Sequence, residues 1–365
     1  MDTPNLVRMP GVDVCVVTMS SGVEGSSQDQ HVALIRSTDG METWGDPIEI
    51  EPASSYMSSW GVPYYDEAND LLYVFYTYNT SNETGTPYIG GGASNKPDIV
   101  GTIGYRVSDD KGLTWGSRSE LVVPTTNIDE RNVYDGAKIL FWLFSVGVPQ
   151  YVDGGILFGM AKVTDGHATD TEAFIVKVDI PPTAATLLPS GMDGDGLVPD
   201  STFGATTVSE EPCIFVHDDG LITVIARTDR GYASEFWSTD GGVTFSRDWA
   251  RQLDGVSYIP QPHSPVPFWQ LPDGRFLLWH HNNSISGYTN NRHPVWYRLG
   301  ERVGNRIRWG VHHLLTYTAV YNGQIVYPSM VVDGDDLVFA ASDKGTGIGG
   351  EGIKLLRFAI SDFKF

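Results

Sequence analysis

Positive charge is what this 365-residue sequence has least of. Its 24 Lys and Arg stand against 45 Asp and Glu, a formal net charge of −21. Such a field repels nucleic acid and anionic membrane, so neither is an expected partner. Cysteine is also scarce. Cys15 and Cys213 sit far apart in apolar runs ("VDVCVV", "PCIFV") and read as buried free thiols, not as a disulfide framework. No apolar run approaches the ~20 residues of a membrane span, and Met1 to Pro10 carries no signal-peptide apolar core, which leaves cytoplasm and export after trimming both open. Neither H-x-x-x-H nor paired cysteines occur, so no metal or other cofactor is expected. Convincing helical periodicity is absent too.

What is abundant is glycine (41), tryptophan (10) and tyrosine (17), with only 19% charged residues. That balance suits many short strands joined by tight turns, with aromatics filling cores or lining a sugar site. One turn recurs: "STDGMETWG" from Ser37, "SDDKGLTWG" from Ser108 and "STDGGVTFS" from Ser238. The last two fit S-x-D-x-G-x-T-[WF] fully; the first has Gly40 one place early and Met41 where glycine is expected. The aromatic ends Trp44, Trp115 and Phe245 are spaced by 71 and 130 residues, so a period near 65 has lost one signature between the second and third copies. A further period reaches Trp309 in "NRIRWG", a worn copy without the Asp.

Each copy lies between alternating strand patterns ("HVALIRS" before, "DPIEIEP" after) and reads as a hairpin turn. The Asp can cap backbone N–H groups, Gly supplies positive φ and the aromatic packs beneath. About 65 residues hold a four-stranded antiparallel sheet, and the chain holds five to six such units. The pattern covers the whole chain, giving one domain over 1–365, with Asp165 to Phe203 as a less regular Gly/Pro-rich insertion.

This turn is the Asp box, and the chain resembles the sialidase (neuraminidase) superfamily. The resemblance implies an all-β, six-bladed β-propeller of four-stranded antiparallel blades, with the boxes on an outer rim away from the active site. It also implies an exo-acting, retaining glycoside hydrolase that removes a terminal acidic sugar, sialic acid, from glycans. The family's first arginine stands in an R-I-P-like motif, for which "NLVRMPG" offers Arg8. Its second closes a hairpin opened by N-E-P-like residues. Here "SEEPCIFVHDDGLITVIARTDRG" supplies Glu211, Pro212, Asp219, Gly220 and Arg227 in that order. Arg292 follows 65 residues later as the third arginine, with Arg298 as its competitor. The nucleophile is implied at Tyr327 in "QIVYPSM", with Glu211 as its base, since a phenol titrates near 10 and needs help to attack. Asp29, on the loop before the first box, is the implied acid/base, with Glu24 weaker. Many bacterial sialidases carry another arginine on that loop; "VTMSSGVEGSS" has none.

Three histidines leave a second chemistry open. His263, His280 and His281 flank the region expected to line the funnel. One of them could abstract the proton beside a uronate carboxylate, as in propeller-fold polysaccharide lyases. A glycan-binding propeller without catalysis is the third possibility.

Overall fold

The computed structural model describes all residues except 22–27, 54–55, 95, 144–145, 205–206, 286–291, 319–322 and 345–350. Six blade sheets follow one another along the chain and close into a ring, an all-β six-bladed propeller, with a small two-stranded sheet, Thr86–Pro87 and Ala93–Ser94, inserted in blade 2. Blade 1 runs from Asp2–Met9 through Val12–Met19 and His31–Ser37 to Ile48–Glu49. Blade 2 holds Ser58–Asp66, Leu71–Tyr78, Thr102–Ser108 and Ser119–Leu121. In blade 3, Phe141–Trp142 and Gln150–Val152 share the inner edge of Gly155–Val163, followed by Thr171–Asp179 and Ala185–Leu188. Blade 4 comprises Glu210–Val216, Ile222–Arg227, Ser234–Ser238 and Ser246–Trp249. Blade 5 comprises Phe268–Gln270, Phe276–His280, Val295–Val303 and Arg306–Thr316, with Arg251–Gln252 added in parallel at its edge. Among the described residues blade 6 has three strands, Gln324–Asp333, Asp336–Lys344 and Glu351–Ala359. The segment expected to be an insertion, Asp165 to Phe203, instead contains the third and fourth strands of blade 3. Its Pro181 and Pro182 follow the third strand in the turn where a box would have been. Among the described residues no helix is long and apolar enough to cross a membrane.

Period-two burial builds the ring. In "VDVCVVTM", Val14 and Val16 pack toward blade 2, whereas Cys15 and Val17 pack toward blade 6. Both faces are covered, so the strand is apolar from Val14 to Val17. The same division recurs around the ring: Ile156 and Phe158 meet blade 2, Leu157 meets blade 4, and Phe339 and Val338 part between blades 5 and 1. Each interface has its own apolar cluster, and each buried Val or Leu side chain contributes about 1.5–3 kcal/mol. Both cysteines are buried thiols, and burial pushes each up to about 12. The ring closes without a shared sheet. Leu6 N donates to Ser329 Oγ (2.9 Å), Thr3 N to Ser342 Oγ (2.9 Å), and Lys344 pairs with buried Asp2 at 2.7 Å.

The three boxes join third to fourth strands of blades 1, 2 and 4. In each, the Asp accepts from the Ser hydroxyl (2.8, 2.7 and 2.7 Å) and from the Thr N–H (3.0, 2.8 and 3.0 Å). Met41 takes the left-handed conformation (φ 69°) of Gly112 and Gly242, which explains why that copy survives without its glycine. Trp309 is no turn residue but a fully buried member of the fourth strand of blade 5.

Thr43, Thr114 and Thr244 hold Asp39, Asp110 and Asp240 down to about 2; for Asp110 burial opposes this and is outweighed. A carboxylate held below its unfolded value near 3.9 stabilises the fold above that pH and ceases to as pH falls through 2. Thermal melts should therefore lose Tm between pH 4 and pH 2. Asp110→Ala should cost about 1 kcal/mol at pH 7, the scale of a lost cap, and should flatten part of the acid slope. An unchanged slope would count against the turn lock.

Candidate functional site

The site is made by a repeated strand break. In blades 1, 2, 4 and 6 the first strand shifts register next to a left-handed residue: Thr3 (φ 49°), Trp60 (57°), Glu211 (48°) and Tyr327 (54°). The residue before each pairs with the second strand as Asp2–Thr18, Ser59–Thr77, Glu210–Arg227 and Val326–Ser342. These four positions are therefore equivalent around the ring, at one end of the central channel. Non-glycine residues held at positive φ cost free energy and concentrate at functional sites. Proline follows three of the four, at Pro4, Pro212 and Pro328, and Gly61 the fourth. Gly159 in blade 3 lets the Glu211–Pro212 segment come close, since a Cβ there would stand 2.4 Å from the Pro212 carbonyl oxygen.

Blades 4 to 6 supply a charged wall. Arg227, 4% exposed, donates from Nη1 to Glu211 Oε1 (2.6 Å), and its Nε stands 3.0 Å from Glu210 Oε2. His263 Nε2 is 3.2 Å from that same Glu210 oxygen. Buried Arg292 donates from Nη1 to the Tyr327 hydroxyl (3.2 Å) and from Nη2 to the His263 carbonyl (2.9 Å). Lys344 Nζ lies 5.0 Å from the Tyr327 ring centroid and ties the site to Asp2. Blades 2 and 3 face this wall with aromatics: Trp60 and Trp142 meet edge to face at 6.1 Å, and Tyr134 and Tyr327 pack against the same cluster.

The two adjacent glutamates titrate apart. Burial raises Glu210, but Arg227 and His263 outweigh it and hold it at about 2. Burial raises Glu211 above its usual 4.5, the Glu210 charge adds to this, and Arg227 opposes it. Glu211 Oε2 is buried and makes no hydrogen bond among the described residues. Burial drives His281 down to about 3 and His280 well below 6.5, so both are neutral.

Glu211, Arg227, Arg292 and Tyr327 thus come together. Asp29 stands on the same face of the ring, ahead of the third strand of blade 1. Its Oδ2 accepts from Ser21 N at 3.0 Å, and the next residue, Gln30, bonds Ser59 beside Trp60. Glu24 lies outside the described residues. Arg8 is not brought to the cluster. It flanks the turn of the first hairpin, pairs with Asp13 (3.3 Å) and Asp333, and donates to the Val332 carbonyl (3.1 Å). Tyr327 precedes Asp333 by six residues of strand, about 20 Å, so Arg8 lines the opposite mouth of the channel beside Gln150, Phe215 and Met330. Pro10 made "RMP" resemble the family motif, but Pro10 belongs to the hairpin turn and the proline marking the strand break is Pro4. Asp2 and Thr3 occupy the place expected for the first arginine. The shared dipeptides Thr3-Pro4, Glu211-Pro212 and Tyr327-Pro328 were the signal that could have found them. Arg298 is internal to blade 5 and bonds the Gly310 carbonyl, not the channel. Among the described residues no group of His, Cys, Asp and Glu suits a metal ion.

Residues 16–339 match the family model of the BNR repeat-like domain. No curated protein matches the chain by sequence. Among solved structures, the chain is similar to a protein of unknown function from Dyadobacter fermentans (16% identity, TM-score 0.68, covering 98% of this chain and 93% of that one). It is similar to the intramolecular trans-sialidase of Ruminococcus gnavus (14%, 0.68, 99% and 95%). A sialidase from Trypanosoma rangeli aligns over 98% of this chain and 54% of its own (14%, 0.64). At these identities the likeness is one of fold.

Proposed function

Given that the chain belongs to the BNR repeat-like domain family and has the sialidase-like propeller fold, we propose that it is a retaining glycoside hydrolase that releases a terminal acidic sugar, sialic acid, from glycans. The observation that carries this reading is the pair of contacts at one mouth of the channel: Arg292 on the Tyr327 hydroxyl, and Arg227 on buried Glu211. Arg292 and Arg227 hold the sugar carboxylate, the task for which guanidinium is best suited. Arg8 has no part in this clamp.

Tyr327 Oη attacks the anomeric carbon while Asp29 gives its proton to the departing glycosidic oxygen. Glu211 takes the phenolic proton once its second oxygen, which makes no hydrogen bond among the described residues, engages the hydroxyl. Water then attacks the glycosyl-tyrosine, losing a proton to Asp29, and the leaving phenolate recovers its proton from Glu211. A neutral nucleophile avoids repulsion by the substrate carboxylate, and tyrosine glycosidases are the known exception to the two-carboxylate scheme.

Glu211 must be ionised to act. Its pKa is raised, so kcat/KM should fall as pH drops through a value above 4.5, and Glu211→Gln should remove that limb together with most of the rate. Rate profiles of both proteins check this.

A second reading rests on the His263–Glu210 contact beside Arg292: an imidazole oriented by a carboxylate could abstract the proton next to a uronate carboxyl group. Product analysis separates the two. Hydrolysis of a sialoside yields free sugar without ultraviolet absorbance, whereas elimination on a uronate glycan yields an absorbing C4–C5 alkene. Sialoside binding with no product of either kind would leave a glycan-binding propeller.

A further inference from the structure

Blade 5 buries a cation with no carboxylate partner among the described residues. It is Arg298, 2% exposed. Nη1 donates to the Gly310 carbonyl at 2.6 Å, while Nη2 reaches only Asn282 Oδ1 and His312 Nδ1, both at 3.4 Å. Nε is buried and makes no hydrogen bond among the described residues. Contrast the neighbouring buried guanidiniums: Arg306 is held by Glu235 and Asp248, and Arg227 by two glutamates. An unpaired buried charge is among the most expensive features a fold can carry.

Among the described residues the surroundings of Arg298 supply neutral groups and no anion. Register places Arg298 opposite Leu278 on one side and His312 on the other, with His280 diagonal to it, so all three polar side chains share one face of the sheet. That face packs toward blade 4, as Leu278 does with Ile225 and Ala233. His280 is fully buried. Its Nδ1 accepts from Asn282 N (3.2 Å), which puts the ring proton on Nε2. Nε2 faces the Pro260 carbonyl, short of full hydrogen-bonding geometry among the described residues. Burial lowers Arg298 to about 10, which leaves it charged at neutral pH. A buried cation without a carboxylate partner, with its Nε–H unsatisfied among the described residues, matches the chemistry of an anion site. A water could satisfy a donor but would leave the charge uncompensated. His312, on the outer strand of the blade, is exposed to solvent.

We propose that blade 5 binds a small monovalent anion of the chloride type against Arg298, on the face shared with His280 and His312. The site is separate from the channel and does not depend on the reaction assigned there.

Two measurements test it. Tm should rise by about 2–3 °C between 5 and 300 mM sodium chloride relative to sodium methanesulfonate at equal ionic strength. Arg298→Met should abolish the difference. Crystals grown in bromide should show an anomalous peak in contact with Arg298 Nε, which keeps the proposal testable if Arg298→Met does not fold. Equal Tm values for the wild type in the two salts, or no peak at Arg298, would overturn it.

Discussion

Tyr327→Phe is expected to lower kcat on an aryl sialoside by about 10³–10⁵-fold, roughly 4–7 kcal/mol of transition-state stabilisation. The change removes one oxygen, which accepts from Arg292 Nη1. The ring stays beneath Lys344 and Arg292, and phenylalanine meets the same left-handed backbone demand as tyrosine at φ 54°. Tm should therefore shift by no more than a degree or two, and a sialic acid analogue should still bind. A variant that keeps more than a tenth of wild-type kcat would remove Tyr327 from the nucleophile's role. One that loses both binding and fold would say only that the residue is structural, so binding and kcat must be measured together.

The second large effect concerns stability. Lys162 continues the face of Ile156, Phe158 and Met160 into the interface with blade 2, where it is 0% exposed. It is bonded to Asp129, itself 1% exposed, and donates to the Pro124 carbonyl at 2.6 Å. Burial lowers the Lys162 pKa, and Asp129 works against that shift. Asp129→Ala strands an ammonium in the core and should cost about 3–5 kcal/mol in urea denaturation. It also deprives Thr126 N of its 2.7 Å acceptor. The double change Asp129→Leu with Lys162→Met should recover much of the loss, because two apolar side chains need no partner. A single variant within 1 kcal/mol of wild type would show that water reaches Lys162.

The ring was legible in the sequence because its signals are local. A box needs only Ser, Asp, Gly and Thr within eight residues, and each box reports a third-to-fourth strand turn. Where blade 3 has Pro181 and Pro182 after its third strand, the signal vanished and the segment passed for an insertion. The charged wall was partly legible for the same reason: Glu211 and Arg227 close one hairpin and face each other in its register. Arg8 misled because a hairpin has two ends. A motif of arginine, one residue and proline fits the turn end as readily as the channel end, and only the register, Arg8 opposite Asp13 and Asp2 opposite Thr18, separates them. His263, Asp2 and Lys344 join the wall through ring closure and blade packing, which no spacing along the chain encodes.

Asp2 has a consequence for the substrate. With a carboxylate in the place expected for a guanidinium, and Lys344 engaged with it, the proposed clamp on the sugar carboxylate consists of Arg227 and Arg292.

The most direct test is covalent trapping. After incubation with 2,3-difluorosialic acid, which loses its 2-fluoride on attack, intact-mass analysis should show one added 3-fluorosialosyl group, and peptide mapping should put it on Tyr327 in "QIVYPSM". The label should be absent from Tyr327→Phe. A wild-type protein that turns over sialosides yet carries the label on another residue, or takes up none, would contradict the account.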